Sequence, residues 1–204
     1  MTTPVPHITR PEDDFLGKYE SKNPIKRRFL QHFFNTLEQI IPQNLASVLE
    51  IGSGEGFSTQ KIRAYLPKVK LAASDVTPAL VELTRQRNPT VQCSVESIYE
   101  LQRPDASVDL VLALEVLEHL DRPDDALREL ARVTKQWAII SVPNEPLWRV
   151  LNFIRGYHMK YWGNNPGHLN HWTPWGLRRF VSQSFLVRTG KQPIPWTMLL
   201  LEKR

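Results

Sequence analysis

Three glycines at alternate positions, Gly52, Gly54 and Gly56, sit in the run Glu50-Ile51-Gly52-Ser53-Gly54-Glu55-Gly56-Phe57, between an apolar stretch and a helix-like one. Glycine lets a backbone turn sharply and approach a ligand closely, because no Cβ stands in the way. A strand-to-helix turn of this kind leaves backbone N–H groups and the positive helix end facing a crevice, where a ligand belongs. A dinucleotide would call for G-x-G-x-x-G, but position 57 is Phe57, so the third glycine falls one residue early. Glu50, just before the loop, would repel a pyrophosphate and could receive an ammonium group. The loop, with Ser53 inside it, therefore suits a cofactor bearing an amino-acid zwitterion.

Further residues extend the site beyond the loop. Asp75 lies 19 residues past Gly56 at the end of a strand-like run, where a carboxylate can accept hydrogen bonds from both hydroxyls of a ribose. Val76 beside it can lie on an adenine face. Glu96 and Ser97 fall where a carboxylate and a hydroxyl or backbone group could bond the adenine amino group. Singly, each has a plainer reading: a turn glycine, an N-cap aspartate, a solvated glutamate. Order and spacing carry the argument. For moving a proton near neutral pH, histidine is the usual choice, and the candidates are His119, His168 and His171. His119 follows a strand on the carboxyl edge, where sites of open α/β sheets lie, and is the first choice. His168 and His171 stand in Gly167-His168-Leu169-Asn170-His171-Trp172-Thr173-Pro174, a setting that fits a lid over an acceptor. Equally, Thr173 and Pro174 read as an N-cap and first helical residue, so that motif would mainly start a helix.

These residues resemble the class I S-adenosylmethionine-dependent methyltransferases, through E-I-G-S-G-E-G, Asp75, and A-L-E-V-L-E-H-L at 113–120. The resemblance covers roughly residues 45–143. Through G-H-L-N-H-W-T-P it extends to the subgroup containing quinone-biosynthesis O-methyltransferases and many small-molecule methyltransferases. It implies S-adenosylmethionine as cofactor, in-line SN2 methyl transfer, and Leu114 and Glu115 walling the methionine side. It also implies an α/β, doubly wound, Rossmann-like sheet of seven strands ordered 3-2-1-4-5-7-6 with strand seven antiparallel. Between Glu96 and Asp109 the chain holds one residue more than the common family pattern. Glu115, Glu118 and His119 also resemble a magnesium-binding E-x-x-E-H set of quinone O-methyltransferases and RNA 2′-O-methyltransferases. E-V-L-E-H occurs as well in relatives with no metal role, and no metal is assigned.

The elements that must position these residues alternate regularly. Asn23 and Pro24 read as an N-cap and first helical residue, followed at helical spacing by Ile25, Phe29, Phe33, Leu37, Ile40 and Ile41. Strands are expected over 47–51, 70–76, 91–95, 108–116 and 137–142, with helices over about 58–66, 78–87 and 123–133. The nearly continuous apolar run at 108–116 is the signature of a strand covered on both faces. This βαβα rhythm predicts right-handed crossovers in a parallel sheet. After Pro143 it breaks, and a helical lid insertion is expected over 144–175, followed by a helix over 177–184. Strands over 185–191 and 198–203 are joined by a link too short for a crossover helix, and so form a hairpin.

Length and composition fit this picture. The 204 residues, 41% hydrophobic and 23% charged, suit one domain spanning residues 1–204, with residues 1–20 expected as a mobile tail. No stretch reads as a signal peptide or membrane span, which points to the cytoplasm. Cys93 is the only cysteine, so no intramolecular disulfide can form, and its strand-like setting predicts burial. Charge is uneven: residues 1–143 hold 17 basic against 19 acidic residues, whereas 144–191 holds Arg149, Arg155, Lys160, Arg178, Arg179, Arg188 and Lys191 against Glu145 alone. Such a segment attracts anionic substrates, nucleic acid or anionic membranes, or is simply the solvated side of a lid. Within it Leu147, Val150, Leu151 and Ile154 share a helix face, and Trp148, Phe153, Tyr157, Tyr161 and Trp162 add aromatic surface. That mixture would accept an aromatic, lipid-like or anionic small molecule, or the aromatics would pack the lid onto the sheet. Three functions remain open: methylation of a small molecule at oxygen, nitrogen or carbon; methylation of RNA through the basic segment; or non-catalytic S-adenosylmethionine binding.

Overall fold

The computed structural model describes residues 23–154 and 167–204. The expected tail at 1–20 and the lid residues Arg155, Tyr157, Lys160, Tyr161 and Trp162 fall outside them. Strand β4 (Val108–Leu114) is the centre of the sheet, and its side chains from Leu110 to Leu114 are all buried, as an apolar strand covered on both faces must be. It pairs in parallel with β1 (Ser47–Ile51) and β5 (Thr134–Pro143). Beyond β1 lie β2 (Lys70–Asp75) and β3 (Gln92–Val95), also parallel. On the other side β7 (Trp196–Lys203) runs antiparallel to both β5 and β6 (Phe185–Lys191). The order is β3-β2-β1-β4-β5-β7-β6, as the resemblance implied.

The strand period of two divides the core between the two faces. Leu110, Leu112, Ile139 and Met198 face a cluster with Phe33, Leu37 and Ile40 of α1 (Pro24–Ile40) and Ile62 of α2 (Phe57–Tyr65). Val111, Ala113, Ile140 and Leu201 face the opposite cluster with Leu127 and Leu130 of α4 (Pro123–Val133) and Leu177 and Val181 of α6 (Pro174–Val181). Helix α3 (Pro78–Arg87) links β2 to β3, and α5 (Glu145–Ile154) follows β5 directly. Asn23 caps α1 by accepting from the Ile25 and Lys26 N–H groups, and Pro24 takes the first helical position.

Several boundaries depart from expectation for identifiable reasons. Strand β4 ends at Leu114 rather than 116, because Glu115 has φ 60° and turns the chain out of the sheet. Strand β5 starts three residues early, at Thr134, pairing with Val108 across a register shift that absorbs Lys135 and Gln136. Strand β7 starts at Trp196 because Trp196 still pairs with Pro143. Helix α6 begins at Pro174, where Thr173 caps it by accepting from Gly176 N–H at 3.0 Å; the cap outweighs the apolar pattern. Cys93, expected buried, is half-buried, and burial raises its thiol pKa.

Phe185 begins β6 completely buried against the α4 and α6 side of the core. Replacing Phe185 with Ala is expected to cost about 3–5 kcal/mol, read as a fall in the urea unfolding midpoint at unchanged slope.

Candidate functional site

Gly52, Gly54 and Gly56 have φ of 72°, 57° and 80°, all in the left-handed region that a Cβ disfavours. Space excludes side chains as well. A Cβ on Gly52 would stand 2.6 Å from Val116 Cγ2, and one on Gly56 would stand 2.9 Å from the Thr84 backbone. The loop is fixed from β2 and α3: Ser74 O accepts from Gly52 N–H and Ser53 N–H, Thr84 Oγ1 donates to Gly54 O, and Asn88 Nδ2 donates to Gly56 O. Phe57, which stands where a dinucleotide loop would carry glycine, packs its ring beneath the Arg87 guanidinium.

Two buried carboxylates flank the loop. Asp75, at the end of β2, accepts from Gly54 N–H at 3.0 Å through Oδ2 and from Thr77 N–H at 3.0 Å through Oδ1. Asp75 therefore holds the loop at the strand end where a carboxylate is expected to meet ribose hydroxyls; Val76 follows it directly. Glu50 is 1% exposed. Its Oε2 accepts from Thr59 Oγ1 at 2.5 Å, whereas Oε1 has no partner among the described residues. Burial, reinforced by nearby Asp75, pushes the Glu50 carboxyl up to about 7, against the lowering effect of the Ser58 and Thr59 hydroxyls. A buried carboxyl oxygen without a donor is a place for a cation.

The expected adenine and methionine contacts are more committed to the protein itself. Glu96 is buried with Oε1 bonded to Ser94 and to Arg103 at 2.8 Å, and Oε2 accepting from Gln102 N–H. An adenine amino group would share that carboxylate with Arg103. Ser97 Oγ accepts from Tyr99 N–H. Leu114 is buried in the sheet. Glu115 accepts from Trp196 Nε1 at 2.5 Å and Ser141 Oγ at 3.3 Å, so its carboxylate closes the β4–β5–β7 corner.

The histidines meet beyond that corner. A 3-10 turn (Leu117–His119) carries His119, and Val116, packed on Gly52, accepts its backbone N–H. Segment 167–170 clamps this turn: Glu118 O accepts from the N–H groups of Leu169 and Asn170, and Asn170 Nδ2 donates to Leu117 O and Leu120 O. His119 Nδ1 bonds Gly167 O at 2.8 Å, and His168 Nδ1 bonds Glu145 Oε1 at 2.5 Å. A carbonyl oxygen only accepts, so His119 carries its hydrogen on Nδ1. The two imidazoles stand edge to face, 5.2 Å between centroids. His171 is exposed. The G-H-L-N-H-W-T-P motif caps α6 with Thr173, as expected, and also brings His168 to His119.

Glu118, His119 and His168 each bring a ligand-type atom within 4.8 Å of the others. This differs from the Glu115, Glu118 and His119 set that the sequence resembles, because Trp196 and Ser141 engage Glu115. No metal is assigned to either set. Sequence reasoning gave no site role to Glu145, Trp196 or Arg103, which make contacts 7 to 81 residues away in the chain.

Glu50 leaves a mark on stability. The folded chain holds a proton up to about pH 7 that the unfolded chain releases near the ordinary carboxylate range. Its contribution is therefore complete below about 4.5 and is lost as the pH rises through about 7. Unliganded protein should accordingly lose stability as pH rises from 4.5 to about 7, and Glu50→Gln should flatten that loss in urea titrations across this range.

The methyltransferase-domain family profile matches residues 49–142, the stretch from β1 to β5 that carries the loop. A probable S-adenosylmethionine-dependent methyltransferase of Mycobacterium tuberculosis is 33% identical over 123 residues, covering 56% of this chain and 44% of that protein. The malonyl-[acyl-carrier protein] O-methyltransferase of Halorhodospira halophila is 28% identical over 132 residues, covering 62% and 44%. The match thus spans less than half the length of these curated relatives. The fold agrees with a solved S-adenosylmethionine-dependent methyltransferase of Aquifex aeolicus at TM-score 0.69 and 15% identity, over 89% of this chain and 94% of that one. The matched stretch holds the zwitterion-suited loop, Glu50 and Asp75 on one sheet edge, and these similarities support a class I S-adenosylmethionine-dependent methyltransferase domain over residues 49–142, with S-adenosylmethionine as the cofactor.

Proposed function

We propose that this protein transfers the methyl group of S-adenosylmethionine to a small molecule by in-line displacement. The observation that carries this reading is the continuity of one sheet edge: the glycine loop contacts Val116, and three residues on, His119 meets His168. The cofactor would lie across β1 and β2, its ammonium toward Glu50 Oε1 and its ribose on Asp75. The sulfonium is itself a strong electrophile, so the protein has to align the acceptor and take up its proton. We assign that role to His119 and His168, in a single-domain chain, with residues 144–154 and 167–175 on the acceptor side.

The acceptor side is aromatic and apolar. Val150, Phe153, Leu169 and Trp175 are exposed on α5, the clamp and α6, and such surface is suited to an aromatic or lipid-like acceptor. The H. halophila relative, by its name, acts on a malonyl group attached to a carrier protein. The basic segment does not favour RNA: Arg188 pairs with Glu202, and Arg179 lies over Trp175. Among the described residues, no helix is long and apolar enough to cross a membrane, and we place the protein in the cytoplasm.

S-adenosylhomocysteine should raise the melting temperature where NAD does not, and calorimetry should show its affinity tightening as pH rises from 6 to 8 and Glu50 ionises. Glu50→Gln should remove that pH dependence. With an acceptor in hand, His119→Ala and His168→Ala are each expected to lower kcat by about 100-fold or more with cofactor affinity unchanged; full turnover in both would contradict the base role.

A further inference from the structure

Glu145 is buried against His168, and the transfer reaction as described above gives this carboxylate no part. Their side chains are 3% and 5% exposed, and Glu145 Oε1 lies 2.5 Å from His168 Nδ1. Both ends of the contact are built from the backbone. Glu145 opens α5, its N–H donating to Trp172 O, and the clamp on the 3-10 turn holds the residues after His168. The carboxylate has no other role in the core: its Oε2 is buried without a hydrogen bond among the described residues. One helical turn on, Trp148 sets its ring 6.4 Å from the same imidazole, and its Nε1 is also buried without a partner. Buried polar atoms left without partners are costly in a finished core and mark a place where a ligand completes the hydrogen bonding.

We propose that Glu145 is a positioning residue that fixes His168 in one tautomer, so that Nε2 is the proton acceptor for a methyl acceptor bearing a dissociable hydrogen, a hydroxyl or an amine. This rests on the methyltransferase reading above and narrows it. An ionised carboxylate accepts hydrogen bonds only, so the short contact places the hydrogen on Nδ1 and the lone pair on Nε2. His119 is held in the same sense by Gly167 O, and the two rings meet edge to face. In the transfer step His168 Nε2 takes the proton from the acceptor O–H or N–H. The electron pair released forms the bond to the methyl carbon, the S–CH3 bond breaks, and its pair goes to sulfur, leaving neutral S-adenosylhomocysteine. The Glu145 carboxylate then faces the imidazolium, the arrangement by which a buried acid orients a catalytic histidine without itself taking the proton.

The test is 15N-histidine NMR of the full chain saturated with S-adenosylhomocysteine, with His168 assigned by its absence in His168→Gln. The expected spectrum shows neutral His168 as the single Nδ1–H form, and Glu145→Gln converts it to the Nε2–H form or a mixture while calorimetry gives an unchanged affinity for S-adenosylhomocysteine. With a hydroxyl acceptor, Glu145→Gln should lower kcat by about 100-fold or more and leave KM for the cofactor unchanged. A wild-type His168 with its hydrogen on Nε2, or a Glu145→Gln spectrum identical to wild type, would overturn the proposal. So would one equivalent of zinc or magnesium retained through dialysis and bound at Nε2. Failure of the wild type to bind S-adenosylhomocysteine would instead overturn the reading beneath it, and the tautomer of the unliganded protein separates the two cases.

Discussion

The structure depends on a turn in which two glycines have no room for a side chain. Gly52, Gly54 and Gly56 all adopt left-handed backbone angles, and a Cβ would strike Val116, just beyond β4, at Gly52, and Thr84 of α3 with the following Asn88 at Gly56. That crowding is what locks three segments together. The loop thereby lies against the turn that carries His119 on one side and against α3 on the other. Asp75 adds a tie from β2 by accepting from Gly54 N–H. The glycine loop and the two histidines proposed to accept the proton are therefore held together at the carboxyl ends of the parallel strands, where open α/β sheets place their ligands.

Burial sets the chemistry on that surface. Exclusion of water raises the Glu50 carboxyl to about 7, so the proposed ammonium would replace a solvation that the fold has already removed. Glu115, only a strand away, is held by Trp196 and Ser141 and so serves the corner of the sheet. Two glutamates at the ends of adjacent strands thus differ in role according to which donors face them.

Much of this was legible in the sequence, for physical reasons that also mark its reach. The glycine spacing, Glu50 before it and Asp75 after it are local or one crossover apart, and strand and helix periods locate them almost without ambiguity. The strand order followed from the family resemblance, and the final hairpin from the shortness of its link. What escaped was set by tertiary contact. The reach of Trp196 to Glu115 spans 81 residues, and Glu145 to His168 spans 23, with no periodicity to announce either. The ion pair of Glu96 with Arg103 lies in the one stretch where the chain departs from the family pattern, and there an adenine contact read from position alone meets a competitor. The left-handed residue at Glu115 was likewise invisible, because nothing in an apolar run says where the strand will be forced to turn.

The most direct test of the account is a crystal structure of the protein with S-adenosylhomocysteine. It should show the ligand across the carboxyl ends of β1 and β2, with both ribose hydroxyls on Asp75, the ammonium toward Glu50 Oε1, and the sulfur facing the His119 and His168 rings. A ligand bound elsewhere, or one in this crevice with its sulfur turned away from the two histidines, would contradict it.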